Sequence, residues 1–262
     1  MKKLLLVLTL AVGLTFVSCN VQERIVFNQQ MGGVYETSFD LSKMLELSAS
    51  MGAPSTDATS KKIDTVIVFN DVLVQYKDSI ATLPKERQMQ LEKMKDMTMR
   101  MHMDNDASIF KFNISKDFES FNDIEFVSYE IDEMLSLAKN NTEDAPTGPG
   151  SDLLKTDKVR YFFENNRFRR VDEKLLNADE VTDEVVEDEA DLLTKGMLAE
   201  FDDMLTGSKI TLTYVFPKKI KSVSMDSAII ATDGKTVTYE VDWKTLSDNK
   251  KLLENFEVLL ED

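Results

Sequence analysis

Hydrophobic and polar residues alternate in several short stretches of the chain, as they do in strands that bury one face. Most of these stretches come in pairs separated by a short turn with glycine, asparagine or aspartate, which predicts hairpins. The predicted strands cover residues 23–28, 34–39, 63–69, 97–103, 110–114, 159–164, 167–171, 210–216, 223–231, 237–243 and 256–260. The pattern therefore predicts an antiparallel sheet.

Other segments carry apolar residues at helical spacing. The stripe at residues 121–138 predicts an amphipathic helix that covers the sheet, and residues 182–205 predict the longest helix of the chain. Shorter helices are predicted after Asp40, after Asn70 or Asp71, and from Pro84 to about Met97. The predicted fold class is α+β, with an antiparallel sheet built of hairpins and amphipathic helices packed on one face.

Residues 139–157 form a long stretch with little periodicity. Two prolines and two glycines lie close together at residues 146–150. A connection of this length is uncommon inside a compact domain. We expect residues 20–262 to form a single α+β domain, and the alternative is two lobes that divide near residues 140–157.

The first 19 residues have the layout of a bacterial lipoprotein signal peptide. Lys2 and Lys3 precede an apolar run at residues 4–17, which is shorter than the ~20 apolar residues that cross a bilayer. Ser18 and Cys19 end a segment that resembles a lipobox, in which the cysteine thiol receives a diacylglycerol and becomes the new N-terminus. The alternative is an ordinary secreted protein with a cysteine near its cleavage point.

Cys19 therefore predicts the subcellular location of the protein. Acyl chains, palmitate among them, would hold the domain at the cell envelope, and we expect the outer membrane of a Gram-negative bacterium on either its periplasmic or its outer side. Cys19 is the only cysteine, so the chain can form no internal disulfide, thiolate zinc site or iron–sulfur cluster. The net charge of −16 would repel nucleic-acid phosphates, which excludes nucleic acids as partners.

The sequence carries few of the motifs that catalysis requires. His102 is the only histidine, and no nucleophile elbow, phosphate loop or glycine-rich dinucleotide turn accompanies it. We therefore predict no catalytic residue, no metal site and no cofactor, and we do not expect an enzyme. The expected function is a non-catalytic binding or assembly module whose partner is a lipid, a glycan or an envelope protein.

Methionines alternate with polar residues at positions 97–103, which places their thioethers on one face of the predicted strand. Three interpretations are open: an adaptable core face under the helix at 121–138, a pocket for an acyl chain or another apolar ligand, and a Cu(I) site. His102 falls on the opposite face, which argues against copper. The candidate ligand-contacting residues are Met99, Met101, Met103, Phe110 and Phe112.

A basic cluster lies in the predicted hairpin at residues 159–171. Guanidinium groups match phosphate and carboxylate oxygens, so the cluster is a candidate site for a lipid headgroup or a glycan. Alternatively, these are exposed residues that pair with acids such as those at 187–191, each pair contributing ~0 to 1 kcal/mol. The candidate residues are Arg160, Arg167, Arg169 and Arg170.

Several segments support a family resemblance. They are the lipobox, residues 39–44 (FDLSKM), 63–65 (IDT), 77–80 (KDSI) and the strands around Phe216-Pro217, and together they resemble a lipoprotein family of Bacteroidetes without a known activity. Residues 210–243, with FPKKI at 216–220, also resemble the mycobacterial LppM-type lipoprotein domain, which is linked to lipid binding. The second resemblance implies a carrier or sensor of a lipid or another apolar ligand as the alternative function.

Overall fold

The computed structural model describes residues 20–43, 45–46, 62–141, 158–176 and 207–262. These residues form two β-sheets with helices, which confirms the α+β class. Cys19 and the predicted helix at 182–205 lie outside the described residues. The strands are β1 (Asn20–Phe27), β2 (Gly33–Asp40), β3 (Lys62–Val68), β4 (Met97–Asp104), β5 (Ile109–Phe118), β6 (Val159–Glu164), β7 (Arg167–Asp172), β8 (Lys209–Val215), β9 (Ile220–Val223), β10 (Ile229–Ile230), β11 (Thr236–Asp242) and β12 (Asn255–Leu260).

The helices differ from the predictions in three places. The helix predicted at residues 121–138 is Val127–Asn141, and a separate 3-10 turn at Phe121–Asp123 precedes it. The helix that follows β3 has Val68 at its N-cap, without a side-chain cap from Asn70 or Asp71, and it is interrupted at Tyr76. The helix after Pro84 ends at Glu92, so the chain leaves it earlier than predicted. The helices are α1 (Phe69–Gln75), α2 (Lys77–Ala81), α3 (Lys85–Glu92), α4 (Val127–Asn141), α5 (Glu173–Leu176) and α6 (Trp243–Asp248).

The larger of the two sheets, called the large sheet below, has eight strands in the order β10-β11-β8-β1-β2-β5-β4-β3. Its hairpins β1–β2 and β4–β5 are antiparallel, as the sequence predicts. β1 and β8 pair in parallel, and that pairing was not predicted. The segments on both sides of residues 140–157 therefore belong to one sheet.

The smaller sheet, called the small sheet below, has four strands in the order β6-β7-β12-β9. Asn165 and Asn166 form the β6–β7 turn with φ angles of 52° and 60°, a conformation that asparagine tolerates. The strand predicted at residues 223–231 is replaced by β9, in the small sheet, and by β10, at the edge of the large sheet. The second sheet itself was not predicted.

Aromatic side chains fill the space between the two sheets. The ring of Phe168 in β7 is buried, and its centroid lies 5.7 Å from that of Phe27 in β1 and 4.8 Å from that of Tyr214 in β8. On the far side of Tyr214, the ring of Phe256 in β12 lies 5.5 Å away. The sheets thus pack face to face, and each buried ring contributes about 1.5–3 kcal/mol relative to exposure.

Helix α4 packs beside this aromatic core. Its residues Val127, Ile131 and Met134 are buried, as the predicted apolar stripe requires. The Ser128 hydroxyl donates to the carbonyl of Val159 at 2.7 Å, which fixes α4 to the start of β6. Lys116 of β5 forms an ion pair with Glu130 of α4. One helix therefore contacts both sheets.

The division of residues 20–262 into one domain or two lobes stays a prediction that limited proteolysis tests. Because β1 pairs with β8 and Phe168 packs on Phe27, we expect the two halves of the chain to stay together after cleavage between residues 142 and 157. Size-exclusion chromatography of the nicked protein should give one peak that separates only in denaturant. Two fragments that elute separately in native buffer would support the two-lobe alternative.

Candidate functional site

The face of the large sheet that points away from the small sheet carries polar side chains, which are exposed or half-buried. Strands β1 to β5 form a surface recess of about 440 Å³ on this face. It is called the recess below. Its polar lining includes Gln22, Ser38, Asp64, Arg100, His102, Lys111 and Asn113. Met101 and Phe112, two of the predicted ligand-contacting residues, also border it.

One row of charged residues runs across the recess. The strand register places Asp64 opposite His102, His102 opposite Lys111, and Lys111 opposite Asp40. Opposing residues on neighbouring strands point to the same side of the sheet, so these four side chains share the open face. The row therefore has two basic groups in the middle and a carboxylate at each end.

The ion pairs within this row are long. His102 Nδ1 lies 3.9 Å from Asp64 Oδ2, and Lys111 Nζ lies 3.4 Å from Asp40 Oδ2. A charge-assisted hydrogen bond is about 2.7–2.9 Å long, so neither basic group is held tightly by its neighbour. Both are well exposed and retain room to contact a ligand.

A second row lies next to the first. Arg100 stands opposite Asn113, Asn113 opposite Ser38, and Ser38 opposite Gln22. The Asn113 amide donates to the Ser38 hydroxyl at 2.8 Å, which orients both groups. Within the part of the chain that the structure describes, Arg100 is exposed and forms no ion pair. This row adds a free guanidinium and neutral hydrogen-bonding groups.

The four arginines of the predicted basic cluster do not share one surface. Arg160 and Arg169 fall on the outer face of the small sheet, and Arg167 lies on the same face two residues from Arg169. Arg170 follows Arg169 directly, so it points to the opposite face and is buried between the sheets. The prediction that all four form one anion site is therefore wrong for Arg170.

The three outer arginines already have partners in the protein. Arg160 forms an ion pair with Glu125, and its guanidinium lies 4.5 Å from the ring centroid of Phe126. The Arg169 guanidinium lies 5.1 Å from the ring centroid of Phe162. Arg167 Nη1 lies 2.7 Å from a carboxylate oxygen of Glu257. Capture of anions by this face stays a prediction. The basic side chains of the recess are less engaged by partners within the protein than these arginines are.

Arg170 belongs to a buried polar cluster between the sheets. Its Nε lies 3.3 Å from a carboxylate oxygen of Glu23, and its Nη1 donates to the carbonyl of Leu253 at 2.9 Å. The Tyr214 hydroxyl donates to the other oxygen of Glu23 at 2.6 Å. The cluster therefore joins β1 and β8 of the large sheet to β7 of the small one.

Burial controls the protonation of this cluster. Desolvation raises the pKa of Tyr35, Tyr161 and Tyr214, and the negative charge of Glu23 raises each further. Burial is the largest single influence and would lower the pKa of Arg170, but Glu23 and the three tyrosines together outweigh burial and the pKa is raised. At neutral pH the cluster thus holds neutral tyrosines around a charged pair that is sealed from solvent, which suits a structural role.

The methionine face of β4 packs into the core. Met97 and Met99 are buried there together with Phe112, while Met101 and Phe110 are half-buried against the same cluster. Met103 is also half-buried. His102 is exposed on the other side of the strand, as the period of two predicts. A ligand role of Met99, Met101, Met103, Phe110 and Phe112 stays a prediction.

Within the described part of the chain, no three side chains of His, Cys, Asp or Glu gather in a group that could hold a metal ion. No helix of the described residues has the length and apolar character needed to cross a bilayer.

Comparisons with known proteins give one distant match. No protein-family model matches the chain, and no curated protein sequence does. The NMR structure of the folded domain of LppM from Mycobacterium tuberculosis matches with a TM-score of 0.36 and 9% identity, over 95% of each chain. At that score, the match does not carry an argument about function. The Bacteroidetes family resemblance stays a prediction.

Sequence reasoning missed the recess. The polar positions of each strand were visible as the alternating partners of apolar residues. However, Asp64, Arg100 and Asp40 lie on three different strands, and only the register brings them together. No spacing within one segment could have indicated the group.

Proposed function

We propose that the chain is a lipid-anchored, non-catalytic binding module of the bacterial cell envelope, and that its ligand binds in the recess. One observation carries the proposal: Asn20, the first residue of β1, lines the recess and directly follows Cys19 in the sequence. Consecutive Cα atoms lie about 3.8 Å apart. The acylated residue would therefore adjoin the recess and hold it beside the membrane surface.

The anchor is the physical basis of this arrangement. A single acyl chain binds a membrane only marginally, whereas two or more chains on one cysteine hold a domain firmly. A site near the anchor then meets the membrane surface at high effective concentration. The proposed location is the outer membrane of a Gram-negative bacterium.

The two other candidate functions have less support. A carrier of an apolar ligand would need space beside the methionine face, but Met99 and Phe112 are only 8% and 7% exposed. A Cu(I) site would gain from an imidazole near the thioethers, but His102 lies on the opposite side of β4.

The anchor is tested by Cys19→Ala. We expect this variant to lose incorporation of labelled palmitate and to leave the membrane fraction, because no acyl chain can then be attached. A matched control is Phe16→Leu, an apolar replacement in the same signal segment that leaves Cys19 in place and should keep the protein on the membrane. If Cys19→Ala still sediments with membranes, the lipid anchor is refuted.

A further inference from the structure

We propose that the recess binds the headgroup of a zwitterionic membrane lipid, namely a phosphate ester that carries a primary ammonium, as in phosphoethanolamine. The proposal rests on the proposed function, since the anchor places the recess at the membrane. The recess carries side chains of both charge signs, and a ligand with both signs matches them.

Three basic side chains converge on one area of the open face. His102 and Lys111 stand opposite each other on neighbouring strands, roughly 5 Å apart, and Arg100 lies two residues, roughly 7 Å, along β4 from His102. A phosphate group placed among them can accept hydrogen bonds from all three. The fork of Arg100 matches two phosphate oxygens at once.

Two carboxylates lie at the ends of the same row. Asp64 stands beyond His102 and Asp40 stands beyond Lys111, each one strand away from a basic group. Either carboxylate can accept hydrogen bonds from an ammonium that is covalently linked to the bound phosphate. The row thus offers separate places for the negative and the positive end of one small ligand.

Ligands with a single charge fit this arrangement less well. A simple anion would be repelled by Asp40 and Asp64 and by the net charge of −16. A simple cation would be repelled by Arg100 and Lys111. A dipolar headgroup satisfies both sets of charges. The long ion pairs of 3.4 and 3.9 Å cost little to replace.

The neutral groups in the second row complete the site. Ser38, Asn113 and Gln22 lie next to the charged row on the side away from the end of β1 that follows the anchor. Ser38 and Gln22 can donate further hydrogen bonds to the phosphate oxygens, while the glycerol unit and the acyl tails stay on the side of the anchor and the bilayer. No apolar chain has to enter the protein.

The experiment uses the full acylated chain in non-ionic detergent and in nanodiscs. His102 is the only histidine, so its imidazole gives a single, assigned NMR signal inside the recess. Soluble glycerophosphoethanolamine is the first probe, with inorganic phosphate and ethylamine as single-charge controls. We expect the zwitterion to shift the signal in a saturable way. It should do so at a concentration at least tenfold lower than either control requires.

Variants locate the site. Arg100→Gln combined with Lys111→Gln should weaken binding of glycerophosphoethanolamine at least tenfold, because charge-assisted contacts to the phosphate are removed. The matched control is Arg24→Gln, which lies on the same face in an ion pair with Glu36 but does not line the recess. The control should bind as the wild type does, and all variants should keep the wild-type urea midpoint.

Nanodiscs distinguish a headgroup that belongs to a bilayer lipid from a soluble headgroup compound. Phosphatidylethanolamine should shift the His102 signal, whereas discs of phosphatidylglycerol alone should not. A response to the soluble probe but not to the lipid would overturn the bilayer as the source. Equal binding of inorganic phosphate, or no response to any probe, would overturn the headgroup assignment. Either failure leaves the anchor standing if Cys19→Ala still releases the protein.

Discussion

Replacing Arg170 by methionine is expected to destabilise the protein by about 3–5 kcal/mol, measured as the free energy of unfolding in urea. The substitution removes the guanidinium that faces Glu23 between the two sheets. The Glu23 carboxylate would then be buried without its counter-charge, and the carbonyl of Leu253 would lose its donor. The cost comes mainly from the charge left behind.

A double variant separates the pair from its surroundings. Glu23→Gln combined with Arg170→Met removes both charges, and an amide oxygen remains to accept the Tyr214 hydroxyl. We expect this double variant to cost less than the sum of the two single variants, by about 0.5–3 kcal/mol. Additive costs would mean that the two side chains do not act as a pair.

Arg167→Met serves as the matched control on the same strand. Arg167 is 49% exposed and pairs with Glu257 at the surface, so its loss should cost only ~0 to 1 kcal/mol. If Arg167→Met and Arg170→Met destabilise the protein equally, burial of the Arg170 pair is not what stabilises the fold.

Alkaline pH is expected to unfold the protein cooperatively above pH ~10. Three buried tyrosines, Tyr35, Tyr161 and Tyr214, have a raised pKa in the folded state. An unfolded tyrosine ionises near pH ~10, so above that pH the unfolded state binds fewer protons than the folded one. The contribution of these tyrosines to the free energy of unfolding is therefore fully present below pH ~10 and is lost as the pH rises.

The slope of that loss can be measured. Each tyrosine with a raised pKa costs about 1.4 kcal/mol per pH unit above its unfolded pKa, so Tyr35, Tyr161 and Tyr214 together supply about 4 kcal/mol per unit, to which Tyr129 and Tyr239, whose pKa is also raised, add. Tyrosinate absorbance and circular dichroism should be followed in the same samples. We expect the three buried tyrosines to ionise only as the circular dichroism signal is lost.

Two phenylalanine variants test the assignment. Tyr161→Phe removes one of the three buried ionisable groups and should reduce the slope by about 1.4 kcal/mol per pH unit. Tyr76→Phe removes a hydroxyl on a side chain that is 51% exposed, and the alkaline midpoint should not move. Ionisation of all tyrosines before any loss of structure would contradict the burial of these hydroxyls.

The sequence by itself determined the hairpins and the α+β class. Alternation is a local property, so the methionine strand could be placed at residues 97–103 and is found as β4. The turn at Asn165-Asn166 was also local, since it depends on the φ angles that asparagine tolerates. The same alternation separated His102 from the methionines without any structure.

The parallel pairing of β1 with β8 was decided only by the tertiary structure. Glu23 and Tyr214 lie 191 positions apart, and no local pattern specifies that they share a hydrogen bond. Arg169 and Arg170 show the same limit. Because the two arginines are neighbours in one strand, their side chains must point to opposite faces of the small sheet. Which of those faces is buried depends on the large sheet that packs against one of them.

The recess is the clearest case of this division. The polar character of Arg100, His102 and Lys111 could be read from the sequence, and so could their position on strands. Their meeting with Asp40 and Asp64 required the order of β2, β5, β4 and β3 and the register of each pair. Local chemistry set which side chains face outward, and long-range packing free energy selected which strands, and so which of these side chains, are neighbours.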